Sequence, residues 1–185
     1  VSGPWTVSFS PAEGGPKQPV VFAELADWAQ RPEEGIKYYS GTARYEKQFE
    51  LPIAQRPKEG RRYALDLGRV AVMARVILNG HDLGIAWKAP FRLDATEALQ
   101  PQNNRLEIAV VNLWPNRMIG DERLPLDCEL KPNGQLVRWP EWLLEGKPSP
   151  TGRHTFASWR QWTQDSPLLE SGLLGPVTLL VEESE

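Results

Sequence analysis

The chain has 185 residues, 41% of them hydrophobic and 24% charged, with a formal charge of −3. That is long enough for one domain with a real core. It has no basic stripe, so charge makes no case for nucleic acid or an anionic membrane. The single cysteine, Cys128, excludes an internal disulfide without fixing a compartment, and no apolar run approaches the ~20 residues of a membrane span.

The chain opens on Val1-Ser2-Gly3-Pro4-Trp5, with neither an initiator Met nor a signal peptide, and reads as a segment of something longer. Trp5 to Phe9 alternates and predicts a first strand. Pro11 to Pro19 is turn-rich. Glu24 to Trp28 predicts one helical turn ending before Pro32. Ala43 to Leu51 predicts a strand with Ala43, Tyr45, Phe49 and Leu51 on one face. Lys47 falls on that apolar face, so either the strand bulges there or Lys47 lies near an edge and snorkels. Arg62 to Gly68 predicts the next strand.

Val70 to Leu78 alternates in β-branched and apolar residues and predicts the central strand. Asn79-Gly80 follows, the pair that a two-residue type I′ hairpin turn requires, and the return strand runs to Trp87. Pro90 to Thr96 is short and extended, and Thr96 to Leu99 predicts a helical turn. Arg105 to Leu113 alternates again, ending at Trp114-Pro115. From Pro115 to about Ser149 periodicity is lost, and a loop this long usually serves function or an interface. Within it, Pro140 to Leu144 predicts a helical turn with Pro at its start. Thr155 to Ser158 is extended, Gly175 to Val181 is a last strand, and an acidic tail follows. Seven or eight short strands and no long helix predict a single all-β domain over residues 1–185, an antiparallel β-sandwich.

The order of certain pieces carries a resemblance. Gly41-Thr42-Ala43-Arg44-Tyr45 leads to Phe49-Glu50-Leu51-Pro52. Leu65-Asp66-Leu67-Gly68, Val76 to Gly80, Leu83-Gly84, Pro90-Phe91, Leu93 to Thr96 and Asn104 to Ile108 follow. This resembles the sugar-binding jelly-roll domain of family 2 glycoside hydrolases, a galactose-binding-domain-like fold. Val111-Asn112-Leu113-Trp114-Pro115-Asn116-Arg117-Met118-Ile119-Gly120-Asp121-Glu122 and the opening Gly3 to Val7 are similar to the C-terminal β-sandwich of family 106 α-L-rhamnosidases. The resemblance implies a jelly-roll accessory domain of a secreted or periplasmic bacterial enzyme. It also implies a catalytic domain elsewhere in the same parent chain as partner, and no catalytic residue here.

The residues agree on catalysis. Glycoside hydrolysis needs two carboxylates about 5–10 Å apart, and Asp121 and Glu122, read as strand neighbours, point to opposite faces. His81 and His154 are remote from each other, and no nucleophile-elbow pattern is present. No cofactor is expected. Two remote histidines and a lone cysteine leave zinc unsupported, and a structural calcium would have Asp94, Asp121 and Asp127 as oxygen ligands of no diagnostic spacing.

For carbohydrate as partner the chemistry is aromatic stacking plus polar donors. The candidates are Trp87, Trp114, Arg117, Trp139, Trp142, Arg153 and Trp159. Trp159 and Trp162, three apart, alternatively share a helical turn that covers the sandwich. Arg117 and Asp121 are expected to pair and Asn116 to cap a turn, and the same segment alternatively docks on the catalytic domain without binding sugar.

Overall fold

Asn79 and Gly80 take φ angles of 52° and 82°, the left-handed pair that a type I′ turn needs. They join β6 (Met73–Leu78) to β7 (His81–Ala86) in the computed structural model, which describes residues 1–58 and 60–183. Leu83 is left unpaired in β7 as a bulge, with Gly84 opposite Val76 and Asp82 opposite Ile77. β6 then lies beside β9 (Asn104–Val111), and β9 beside β3 (Thr42–Phe49). Outside β3 come β1 (Trp5–Ser8) and β2 (Val20–Phe22), completing a six-stranded antiparallel sheet of order β2-β1-β3-β9-β6-β7.

The facing layer pairs β4 (Arg61–Asp66) with β8 (Arg92–Asp94) on one side and β11 (Thr178–Glu183) on the other. A short ribbon of β5 (Arg69–Val70) and β10 (Leu173–Gly175) continues it through a bridge between Gly68 and Gly175. The protein is an all-β antiparallel β-sandwich. Its helices are short: α1 (Glu34–Lys37), α2 (Pro115–Asp121) and α3 (Glu141–Leu144). No described helix is long and apolar enough to cross a membrane.

The alternating residues fill the space between the sheets. Tyr45, Leu65, Leu78, Leu106 and Ile108 are fully buried, each aliphatic one contributing about 1.5–3 kcal/mol. Trp5 and Trp28 are core residues as well. Trp28 packs edge-on to Phe9 at 5.4 Å and Tyr39 at 5.7 Å, and its indole N–H donates to the Tyr45 hydroxyl at 2.6 Å.

Several expectations are corrected. The central strand begins at Met73, not Val70. Val70 belongs to β5, and Val72, at φ 146°, turns the chain between them. That backbone is costly for a β-branched residue and breaks the alternation. Lys47 causes no bulge: β3 pairs with β9 without interruption. The pairing of β3 with β1 stops at Glu46, so Lys47 reaches past the edge to the Pro4 carbonyl at 2.9 Å. The turn near Trp28 is a 3-10 turn over Trp28–Gln30, capped by Asp27. The last strand is split at Pro176, which has no N–H to give a ladder. The acidic tail falls in part outside the described residues.

Candidate functional site

Between Val111 and Leu173 the chain leaves the sandwich and returns, forming a strap over one end of it. Its base is closed by polar side chains. Asn112 accepts from Gly41 N–H at 2.9 Å and donates to the Tyr39 carbonyl at 2.7 Å. Asn116 donates to the Leu169 carbonyl and the Ser171 hydroxyl, and accepts from Leu169 N–H. Asp27 takes the Ser171 N–H at 2.9 Å. Asn116 thus ties two remote parts of the strap together instead of capping a turn.

The first strap element is α2, which sequence periodicity did not reveal. It buries Arg117, Ile119, Gly120 and Asp121. Gly120 lies so close to Tyr38 that an added Cβ would stand 2.6 Å from the tyrosine Cβ. Arg117 and Asp121 do pair, at 3.1 Å, one helical turn apart. Asp121 and Glu122 therefore close a helix instead of alternating on a strand. Both carboxylates hold the strap. Asp121 Oδ2 accepts from His154 N–H, Thr155 N–H and the Thr155 hydroxyl. Glu122 receives Arg153 at 3.0 Å and Arg160 at 2.6 Å.

The seven carbohydrate candidates divide by position. Arg117 is 9% exposed, and the Arg153 guanidinium is engaged at all three nitrogens, by Glu122 and by the carbonyls of Leu124 and Pro125. Trp142 gives its N–H to the Asp127 carbonyl at 2.9 Å and meets Phe156 edge-on. Trp139 lies tilted against the same Phe156 ring at 5.7 Å, with 57% of its surface open. Trp87 and Trp114 belong elsewhere, at the end of the six-stranded sheet. The pairing Ala74 with Ala86 sets Trp87 one step beyond, on the outer face beside Met73, and Met73 pairs with Val111. Ile85, Leu113 and Trp114 extend this exposed apolar row.

Trp159 has a setting of its own. Three extended pieces of the strap meet in a small ladder: Leu130 bridges Leu136, and Gln135 bridges Trp159. Leu136 N–H donates to the Ser158 carbonyl and Arg160 N–H to the Gly134 carbonyl, both at 2.9 Å. Gly134, at φ 83°, would bring a Cβ to 3.2–3.3 Å of the Trp159 ring, so one side of the indole rests on glycine backbone while 62% of the residue is exposed. There is no helical turn joining Trp159 to Trp162. Both line a groove with Glu122, Phe156, Arg160 and Gln161. Phe156, Gln161 and Gly134 carried no signal in the sequence. Thr155 to Ser158, expected to be extended, forms no strand.

Two of the calcium candidates have separate occupations. Asp94 caps the turn after β8, and Thr96 holds its carboxyl below the usual range. Asp121 is engaged as above, and Asp127 lies on the strap. No cluster of three or more His, Cys, Asp or Glu suited to a metal occurs among the described residues. The Cys128 thiol is pushed up by burial and by neighbouring Asp127.

No family model matches the chain. A curated relative from Formosa agariphila, named "Putative beta-glucuronidase", is 48% identical across the whole of this chain. The solved rhamnosidase of Novosphingobium sp. PP1Y superposes with a TM-score of 0.75 and 35% identity over 98% of this chain. Both bear the names of glycoside hydrolases. The chain spans only 16% of the first and 15% of the second. A β-glucuronidase of an uncultured Clostridium sp. shares the fold over 61% of the chain, with a TM-score of 0.51 and 21% identity, against 22% of its own length.

Proposed function

We propose that this chain is a non-catalytic accessory domain of a larger bacterial glycoside hydrolase, of the α-L-rhamnosidase kind, that packs on the rest of the parent chain. The similarity to the rhamnosidase carries this reading, because it covers almost all of this chain and a small share of that one. The carboxylates agree with it. Asp121 and Glu122 are engaged in holding the strap. Glu46 and Glu107 oppose each other across β3 and β9 but are matched on the open sheet face by Arg105 and Arg44. The apolar row of Trp87, Met73, Val111, Leu113 and Trp114 supplies a face for the remainder of the parent chain, flanked by the Arg75–Asp82 ion pair.

The test is an assay of the purified chain against nitrophenyl α-L-rhamnoside and nitrophenyl β-D-glucuronide. No turnover above buffer is expected. Turnover that survives repurification and disappears with a carboxylate substitution overturns the reading.

A further inference from the structure

We propose that the groove at Trp159 is a carbohydrate subsite in which a pyranose stacks on the open face of the indole. The choice of ligand rests on the accessory-domain reading above, and the site itself rests on geometry. Trp159 presents most of its indole to solvent. Here the ring is positioned from behind: its backbone is bonded on both flanks, and Gly134 leaves room for the indole to lie against the main chain. A side chain so fixed loses little freedom on binding. The C–H face of a pyranose is the flat apolar surface that suits it.

The rest of the groove mixes polar groups with apolar ones such as Leu126, Leu130 and Phe156. Glu122, Arg160 and Gln161 line it, and the Gln161 amide and the indole N–H groups of Trp159 and Trp162 have no protein hydrogen-bond partner among the described residues. These are groups for sugar hydroxyls. A purely apolar partner would leave them unsatisfied, and nucleic acid is disfavoured because the arginines that line the groove are already paired with Glu122. About 40 Å³ of the groove is open to the centre of a water-sized sphere, too little to enclose a pyranose. A sugar therefore lies along it instead of being swallowed, as stacking on one ring requires.

Methyl α-L-rhamnopyranoside and methyl β-D-glucopyranosiduronate are titrated separately into the chain, read by tryptophan fluorescence and calorimetry. A saturable response to at least one is expected, weakened about tenfold by Trp159→Ala and unchanged by Trp114→Ala. Near-UV circular dichroism verifies folding. Should Trp159→Ala unfold, Gln161→Ala serves instead and is expected to weaken binding several-fold. Absence of saturation with both glycosides through the tens of millimolar range overturns the proposal, as does binding that persists unchanged in the folded variant. Hydrolysis of either glycoside would refute the accessory-domain reading alone, leaving the subsite to be judged by the titration.

Discussion

Asp121 holds Thr155 twice with one oxygen, accepting its N–H at 2.7 Å and its hydroxyl at 2.8 Å. With Arg117 at 3.1 Å from the other oxygen, this carboxylate joins α2 to a segment of the strap 34 residues away. Asp121→Ala is therefore expected to cost about 3–5 kcal/mol, since it strands a buried guanidinium and three donors. Arg117→Met should cost less, because Asp121 keeps its donors. Urea unfolding of both variants checks the order, and a smaller loss for Asp121→Ala than for Arg117→Met would contradict it.

Glu122 bridges Arg153 and Arg160 and is itself nearly covered. Glu122→Gln removes the charge both arginines face. The strap should then open more often while the sandwich persists. Limited proteolysis is expected to cut between residues 123 and 165 several times faster than in the parent protein, with the β-sheet signal retained. Unchanged cleavage would show that the two ion pairs do not hold the strap.

Part of this architecture is legible in the linear sequence, and the reason is physical. β3, β6 and β9 each face the core with one side only, so their alternation shows directly, and Asn79-Gly80 names its own turn. β5 hides because Val72 bends the chain inside an apolar run. α2 hides because, Ile119 apart, the face it buries is made of Asn116, Arg117, Gly120 and Asp121, which look like solvent residues until their partners from residues 40, 155 and 171 are in place. The aromatic residues of the strap are visible by type. Which of them is packed, as Trp142 is, and which is held open, as Trp159 is, depends on a glycine 25 residues away.

Asn79 does more than turn the hairpin. Its amide donates to the Ala98 carbonyl and to Asn104, and its carbonyl accepts from Arg105 N–H, each at 2.8 Å. Asn79→Ala loses all three at a residue held at positive φ, and about 2–4 kcal/mol of stability should go with them. Gly80→Ala meets open space and only the backbone strain, so about 1 kcal/mol is expected. Thermal unfolding of the two variants separates the contributions; equal losses would mean that the turn geometry alone matters.

Burial pushes the Tyr45 hydroxyl up to about 12, against bonds from Leu173 N–H and the Trp28 indole that partly offset it. The unfolded tyrosine ionises near pH 10. The folded state therefore keeps its full advantage below about pH 10 and loses it as pH rises toward 12, because the unfolded chain releases the proton first. Denaturant midpoints across that range should fall with pH, and Tyr45→Phe should flatten the fall. The same variant should be less stable at neutral pH by about 1–3 kcal/mol, having left two buried donors unpaired. An undiminished slope in Tyr45→Phe would assign the alkaline loss to other groups.

Because Asn112 and Asn116 at one foot of the strap meet Leu169 and Ser171 at the other, the whole excursion is a cassette with a closed mouth. Chain entering and leaving it does so at nearly one point, so lengthening or recasting the interior changes little of the closure entropy and nothing in the register of either sheet. A lineage could exchange the contents of that cassette, trading one surface for another, while inheriting the same sandwich and the same latch. An engineer could graft a foreign loop into the strap by the same rule, keeping α2, the asparagines and Ser171 as the splice.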